Sequence, residues 1–149
     1  MKRHLLARMV ILSIVALGTA CQHTTAPTPV ESSTAPLPKF AILDAVMTRQ
    51  VDGDYAPIDV TDQFAPDEAF YCTIQVADAQ PDTILVARWR FGDELIHESV
   101  FTVNEPGSGY VAFELTSERP WPEGNYHVEI SSGEVLLRLV QFRVVESVP

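Results

Sequence analysis

Cysteine is almost absent from this chain of 149 residues, which contains only Cys21 and Cys72. Because Cys21 lies close to the amino terminus, no disulfide bond can form within the segment that follows residue 38. Long apolar runs are scarce as well. The run over residues 10–17 is much shorter than the roughly 20 residues that span a bilayer, which argues against a membrane helix.

Basic residues are few: the chain has 10 Lys and Arg against 20 Asp and Glu. Lys2, Arg3 and Arg8 account for three of the ten, and no acid precedes Glu31. From residue 21 onward seven bases face all 20 acids, so the formal charge is −13. Nucleic acids and anionic headgroups need basic patches, so neither is expected as a ligand. The acidic surface indicates solubility.

Catalytic motifs are also missing, whether Ser/His/Asp sets, phosphate loops, paired carboxylates or zinc-ligand spacings. Cys72 alternates with Phe70 and Ile74, which favours a small buried side chain over a nucleophile. His97 and His127 fall on predicted strand positions rather than in a ligand pattern. We therefore expect no enzymatic activity, no metal and no cofactor, and we infer no small-molecule substrate.

The acids between residues 44 and 68 leave two interpretations open. Clustered oxygen ligands bind calcium, but the triplet Asp52-Gly53-Asp54 lacks the ligand spacing of a calcium-binding loop. Aspartates also accept hydrogen bonds from the backbone of their own turns, and this second interpretation is favoured. The residues concerned are Asp52, Asp54, Asp59, Asp62 and Asp67.

Helical periodicity is lacking throughout. Short runs of alternating apolar and polar residues are instead separated by turn residues, which predicts an all-β, two-sheet antiparallel sandwich of seven or eight strands. The predicted strands cover residues 40–48, 68–76, 83–91, 95–103 and 110–115, followed by a hairpin near the carboxyl end. Residues 55–60 are predicted to form a short edge strand or a loop.

That last hairpin covers residues 125–139. A two-residue turn at Ser132-Gly133 sets Ser131 opposite Glu134 and sorts the strands into an apolar and a mostly polar face. The apolar face then holds Tyr126, Val128, Ile130, Val135, Leu137 and Leu139. Phe142 and Val144 change phase, which predicts a bulge near Val140-Gln141.

For the hairpin over residues 83–103, the length of the loop decides which residues of the second strand face inward. A two-residue loop would bury Glu94 and Glu98 beside Trp89, at a cost of several kcal/mol for unpaired carboxylates. A three-residue loop, Gly92-Asp93-Glu94, is therefore predicted. It sets Arg88 opposite Glu98 on the outside. On the inside, with Trp89, it places Leu95, His97, Phe101 and Val103.

The amino-terminal residues have the pattern of an export signal, with a basic start, an apolar run and small residues before Cys21. The segment Leu17-Gly18-Thr19-Ala20-Cys21 resembles a bacterial lipobox, although the family has Leu where this chain has Gly18. Ordinary signal peptidase would instead leave Cys21 as a free terminal thiol. Residues 22–38 are rich in Thr, Ser, Ala and Pro, which is typical of a flexible tether.

These features resemble an exported bacterial lipoprotein, and the resemblance implies several expectations. Residues 1–20 are a signal peptide, residues 21–38 a lipid-anchored, disordered tether, and residues 39–149 the folded domain. Cys21 would carry the acyl chains, palmitate among them, and anchor the protein to the cell-envelope membrane. In a bacterium with two membranes, Gln22 resembles the signal for sorting to the outer membrane, with the domain facing the periplasm.

The order of Cys72, Trp89 and Tyr126-His127-Val128 resembles the immunoglobulin-like fold. That family has a Cys on its second strand, a Trp on its third and Tyr-x-Cys on its sixth. Here Val128 replaces the second cysteine, so the disulfide within the domain is absent. Tyr126 follows Glu123-Gly124 and matches the position of the tyrosine corner. The resemblance implies an immunoglobulin-like β-sandwich over residues 40–145 and is nearly silent on function.

Trp121, between Pro120 and Pro122, is the leading candidate for a binding residue. It is interpreted either as a contact for a partner or as a lid over one end of the sandwich, and the lid is favoured. We expect a non-enzymatic envelope protein whose domain binds another envelope protein or has a structural accessory role. The alternative is a glycan-binding module, for which Trp121, Tyr55 and Tyr110 are the available aromatic residues.

Overall fold

The computed structural model describes residues 39–146, which form eight β-strands and no helix. Hence no helix in this part of the chain is long and apolar enough to cross a membrane. The strands are β1 (Ala41–Thr48), β2 (Gln63–Phe64), β3 (Phe70–Ala79), β4 (Ile84–Phe91), β5 (Glu94–Thr102), β6 (Gly107–Leu115), β7 (Gly124–Ser132) and β8 (Val135–Val144).

The strands form two sheets. One has three strands in the order β1-β3-β6, and the other has five in the order β2-β8-β7-β4-β5. All neighbouring strands are antiparallel except β2, which runs parallel to β8 through Gln63 and Phe64. The strand β5 therefore forms one edge of the five-stranded sheet, and its outer backbone groups have no strand beside them within residues 39–146.

The strand directions give the sandwich two distinct ends. Lys39 precedes β1 at the end where β3 finishes, since Ala41 lies opposite Ala77. Trp121 lies at the other end, where its backbone N–H donates a hydrogen bond to the carbonyl oxygen of Pro66. On one side Arg138 of β8 donates a hydrogen bond to the backbone oxygen of Ile42 and so bridges the two sheets.

The core lies between the sheets and is apolar. Along β3 the buried Phe70, Cys72, Ile74 and Val76 alternate with outward positions, of which Thr73 is also buried. Trp89 of β4 is fully buried at the centre and packs against Phe142, with ring centroids 6.3 Å apart. The largest fully buried apolar side chains are Trp89, Phe64, Phe70, Ile74, Leu85, Ile130, Val128 and Val144.

The all-β two-sheet sandwich predicted from the sequence is confirmed, with eight strands. The predicted inner faces of β3, β4 and β6 are also confirmed. Their buried members include Phe70, Cys72, Ile74 and Val76 on β3, Leu85, Ala87 and Trp89 on β4, and Val111, Phe113 and Leu115 on β6.

The predicted pairing of β7 with β8 is wrong. Ser132 lies opposite Val135, so the turn residues are Gly133 and Glu134 rather than Ser132 and Gly133. Gly133 has φ 57° and takes the first central position, where type II′ turns have glycine. The bulge that restores the phase lies at Leu137, earlier than predicted. Leu139 consequently points outward and is exposed.

In the β4–β5 hairpin the predicted loop length is wrong, but the predicted pairing of Arg88 with Glu98 is confirmed. The loop has two residues, Gly92 and Asp93, and a bulge at Ile96 then brings Arg88 opposite Glu98, as predicted. His97 does lie opposite Trp89, but it is exposed because β5 is the edge strand and has no neighbour to cover it. Leu95 lies opposite Arg90, on the outer side, and not on the Trp89 face.

Residues 55–60 form a loop rather than a strand, held by isolated bridges that include one between Thr48 and Val60. The short strand β2 was not predicted, because two residues carry no periodic signal. The strand β6 begins at Gly107, three residues before the predicted start at residue 110. The predictions for residues 1–38, including the signal peptide, Cys21 and the tether, lie outside the described residues.

The burial of Cys72 on the inner face of β3 generates a pH prediction. Burial raises the pKa of its thiol from 9.0 to about 12, because the thiolate is poorly solvated in the core. The folded state therefore keeps the proton. This contribution to stability is complete below pH 9.0. Between pH 9.0 and about 12 the thiol ionises in the unfolded state but not in the folded state, so the contribution is lost as pH rises. Between about pH 8 and pH 10, urea titrations should show a larger loss in the native chain than in Cys72→Val.

At neutral pH, Cys72→Val should cost about 1.5 kcal/mol or less, because the two side chains are similar in size. In a chain with Cys21→Ser, a thiol reagent should react slowly with the native protein and rapidly in denaturant. Fast labelling of the native protein, or identical pH profiles for the two proteins, would contradict this account of Cys72.

Candidate functional site

Trp121 lies in the connection between β6 and β7 and is half-buried. Its indole Nε1 donates a hydrogen bond to the backbone oxygen of Glu68 at 3.1 Å. Its ring packs on Phe70, with centroids 5.1 Å apart. The polar atom of the side chain is thus engaged within the domain, and this geometry favours the lid interpretation over the contact residue.

An ion-pair network lies beside this lid. Arg49 Nε is 2.9 Å from Glu68 Oε1, and Arg49 Nη1 is 3.3 Å from Asp59 Oδ2. The second carboxylate oxygen of Glu68 accepts a hydrogen bond from the backbone N–H of Ala65 at 2.7 Å. Each partly exposed pair contributes roughly 0–1 kcal/mol, but together they hold the backbone that accepts the Trp121 hydrogen bond.

Tyr126 holds the other side of the Trp121 segment. Its hydroxyl donates a hydrogen bond to the backbone oxygen of Pro122 at 2.7 Å, which is the arrangement expected of a tyrosine corner. Burial raises the pKa of this hydroxyl, so it stays protonated as a donor. Gly124 has φ 145°, and a Cβ added there would stand 2.8 Å from the Phe91 ring, so the turn into β7 requires glycine.

The structure does not bring the three candidate aromatic residues together. Trp121 covers one end of the core, whereas Tyr55 is 56 % exposed in the loop between β1 and β2. Tyr110 lies on β6 opposite Gln75, on the outward face of the three-stranded sheet. These residues therefore do not form the single aromatic strip that a glycan-binding surface would need.

A second aromatic residue on that outward face, Tyr71, is not among the candidate binding residues named from the sequence. Tyr71 of β3 lies opposite Glu114 and donates a hydrogen bond to its Oε1 at 2.8 Å. This hydrogen bond raises the pKa of the Tyr71 hydroxyl. Alternation with Phe70, Cys72 and Ile74 predicts the outward side of the strand for Tyr71, as observed, but carries no signal for a binding role.

Among the acids of residues 52–67, Asp52 accepts hydrogen bonds from the backbone of its own turn, whereas Asp59 pairs with the side chain of Arg49. Asp52 Oδ1 accepts from the N–H groups of Asp54 and Ala56, both at 2.9 Å, as in a side-chain-stabilised turn. Within residues 39–146, no three His, Cys, Asp or Glu side chains come together in a way that could hold a metal ion. His127 Nε2 lies 3.6 Å from Glu129 Oε1, on the outside of the five-stranded sheet.

The outward side of β8, β7, β4 and β5 carries three complete rows of directly opposed residues, and we call these twelve residues the outer face. The first row consists of Leu136, Ser131, Val86 and Val100. The second consists of Leu139, Glu129, Arg88 and Glu98. The third consists of Gln141, His127, Arg90 and Leu95.

Apolar side chains on the outer face remain strongly exposed. Val100 is 61 %, Leu136 58 % and Leu139 52 % accessible to solvent. Leu95 is also exposed, and Ile84 adjoins the first row from the start of β4. Scattered exposed apolar residues are ordinary, but several on one sheet face are typical of a surface that another molecule covers.

Ion pairs occupy the middle of the outer face. Arg88 Nε is 2.7 Å from Glu98 Oε2, and Arg90 Nε is 3.2 Å from Glu129 Oε2. The two arginines balance the two glutamates, so the twelve residues of the outer face carry no net charge. Arg143 of β8, opposite Asn125, adds one positive charge at its border. Residues 39–146 as a whole contain seven bases and 19 acids, a net charge of −12. The outer face is thus a neutral area on an acidic domain.

The lid geometry predicts that Trp121→Ala destabilises the domain. The change removes the packing on Phe70 and the hydrogen bond to Glu68, so we expect a loss of about 2–3 kcal/mol, below the range for fully buried tryptophan. Urea unfolding followed by circular dichroism measures it. Tyr55→Ala is the matched control, because the exposed Tyr55 should change stability by less than about 0.5 kcal/mol. Equal effects of the two substitutions would contradict the lid.

Neither a protein-family model nor a curated protein matches the sequence. Among solved structures, the chain is similar to a β-glucosidase from Listeria innocua, with 12 % identity and a TM-score of 0.46. That match covers 74 % of this chain but only 16 % of the β-glucosidase, so this chain spans a small part of that enzyme's length. The C-terminal domain of wzt is 13 % identical, with a TM-score of 0.46 and coverage of 73 % and 75 %.

A third similar structure is an immunoglobulin-like protein from Pseudomonas aeruginosa. It is 14 % identical to this chain, with a TM-score of 0.51, and the match covers 72 % of this chain and 98 % of that protein. The match therefore extends over nearly all of that chain. Together with the strand order described above, it shows that the domain of this chain is an immunoglobulin-like β-sandwich.

Proposed function

We propose that this chain is a non-enzymatic lipoprotein of the cell envelope whose immunoglobulin-like domain binds a protein partner. The observation that carries the binding role is the outer face, where Val100, Leu136 and Leu139 are more than half exposed around a neutral set of ion pairs. A protein interface typically has this composition, with apolar residues and satisfied charges on one surface.

The state of Trp121 also supports a protein rather than a glycan as the ligand. A glycan site needs an exposed aromatic surface, whereas Trp121 is packed on Phe70 and hydrogen-bonded to Glu68. Several exposed apolar residues lie instead together on the outer face, among them Val100 and Leu95 of its edge strand β5. The acidic charge of the domain is consistent with a partner other than nucleic acid.

The cellular location in this proposal rests on the amino-terminal sequence. The export signal, Cys21 and the Pro- and Thr-rich residues 22–38 support acylation at Cys21 and attachment of the domain through a tether. The 17 residues from Gln22 to Pro38 would hold the domain roughly 20–50 Å from the membrane, between the coil and extended limits. In a cell with two membranes, the domain would face the periplasm from the outer membrane.

Acylation predicts a mature chain that begins at Cys21 and carries lipid. Protein extracted from membranes with detergent should have an intact mass equal to residues 21–149 plus acyl groups. Cys21→Ser should abolish both the added mass and the membrane association, because lipid chains supply the anchoring energy. A mature chain without lipid, or one found wholly in soluble fractions, would refute this part of the proposal.

Binding through the outer face predicts that a photo-crosslinking residue at Val100 captures protein in intact cells. The same residue at Leu43, which is 59 % exposed on β1 of the other sheet, is the matched control. Mass spectrometry of the products should show a specific protein adduct at Val100 that Arg88→Glu removes. No adduct at Val100, or the same adducts at both positions, would contradict a partner on this face.

Tyr71 and Tyr110 favour a second candidate, glycan binding on the three-stranded sheet. They share its outward face with the hydrogen-bonding side chains of Gln75 and Glu114. On this alternative, the purified domain should cosediment with isolated envelope glycan, and Tyr110→Ala should reduce the bound fraction by at least about tenfold. Tyr55→Ala, a change of the same kind in an exposed loop, should leave binding unchanged. Absence of cosedimentation would remove this candidate.

A further inference from the structure

We infer that the outer face binds the same face of a second copy of this chain, so that two domains pair sheet to sheet. This inference rests on the proposed function, because it names the protein partner that the outer face would take. Two observations carry it: the order of residues along the three rows, and the distribution of charge over the domain.

A two-fold axis that runs parallel to the strands and passes between β4 and β7 sets opposite charges of the outer face against each other. Such an axis sets the β8 side of one copy against the β5 side of the other, with each row facing its own equivalent. Leu136 then faces Val100 of the second copy, and Val100 faces its Leu136. In the second row, Glu129 faces Arg88 of the second copy, again twice. Apolar residues therefore meet in the first row, whereas Leu139 faces Glu98 and Gln141 faces Leu95 of the second copy. No arginine faces an arginine and no glutamate faces a glutamate, so the charges of the outer face are compatible with an isologous interface.

A two-fold axis that lies along the second row, perpendicular to the strands, would instead set like charges against each other. It sets each residue of that row against its own copy, so Arg88 would face Arg88 and Glu129 would face Glu129. Like charges in contact are unfavourable across an interface. The sequence of residues along the rows therefore favours one orientation of the pair. Packed sheets also keep their strand directions within about 30° of each other, which this orientation allows.

The charge of the domain restricts where two copies can meet. Residues 39–146 carry −12, so two copies that approach through other surfaces meet net negative charge on both sides. The outer face carries none, and its four charged side chains are already paired within each copy. A basic or acidic partner would gain little from such a neutral face, whereas a second copy encounters no repulsion there.

Attachment to a membrane at Cys21 would further favour pairing of two copies. Copies anchored in the same membrane by tethers of 17 residues share a thin layer above it, which raises their effective concentration. A pair that is weak in solution would then be well populated at the membrane. The inference about the outer face does not require this contribution, and its test in solution is made without the lipid.

Sedimentation equilibrium of residues 21–149 with Cys21→Ser tests the pairing. The mass should rise from that of one chain to that of two as concentration increases towards roughly 1 mM, a range that detects weak association. Leu136→Glu should weaken the association by at least about tenfold, because it buries a charge against Val100. Leu43→Glu is the control, since Leu43 has the same side chain and nearly the same exposure, 59 % against 58 %, on the other sheet.

A charge exchange tests the orientation. Arg88→Glu alone and Glu129→Arg alone should each weaken self-association by about tenfold or more, since each puts like charges face to face twice. An equimolar mixture of the two variants should associate nearly as tightly as the native chain, because every facing pair is then opposite in charge. Circular dichroism of each variant confirms that it is folded, and recovery in the mixture cannot arise from misfolding.

Four results would overturn the inference: a native chain that stays single up to roughly 1 mM, an association that Leu136→Glu leaves intact, equal loss in Leu43→Glu, or no recovery in the mixture. Crosslinking at Val100 in cells then distinguishes the two proposals. An adduct with another protein and none with this chain would leave the proposed function standing and reject the second copy. No protein adduct at all would reject both.

Discussion

Packing of the Phe70 ring joins the main parts of this domain. Phe70 belongs to the three-stranded sheet, yet its ring lies 4.9 Å from Phe64 and 5.0 Å from Phe142, which both belong to the five-stranded sheet. Trp121 rests on the same ring at 5.1 Å. Edge-on and tilted aromatic contacts of this kind have preferred geometries, so they fix how the sheets sit on each other. The lid and the adjoining Glu68–Arg49 network follow from this arrangement.

The inner faces of the strands could be predicted because alternation is a local property of the sequence. Leu85, Ala87 and Trp89 point inward wherever the strand lies in the sheet. The register of the two hairpins could not be predicted in this way. Gly92 and Gly133 each take the first central position of a two-residue loop, and a bulge follows a few residues later in each second strand. Each bulge shifts the phase by one residue, which moves side chains such as Leu139 to the opposite face.

For the candidate sites, too, local features could be predicted and features that depend on long-range strand pairing could not. The lid over one end could be predicted from Trp121 and its prolines, since the signal lies within a few residues. The outer face could not, because its rows join β8, β7, β4 and β5, and that order depends on long-range pairing. His97 illustrates the limit. Its alternation placed it correctly beside Trp89, but only the strand order reveals that β5 is an edge and leaves the imidazole exposed.

The position of Lys39 determines how the domain would carry mechanical load. The chain enters β1 at the end opposite Trp121, and β1 is hydrogen-bonded along its length to β3. A pull on the chain before Lys39, directed away from that end, acts along the strand axis. It therefore strains the β1–β3 hydrogen bonds together, in shear, rather than opening them one after another. The domain is thus arranged to resist tension applied at its amino terminus, where a membrane tether would exert it.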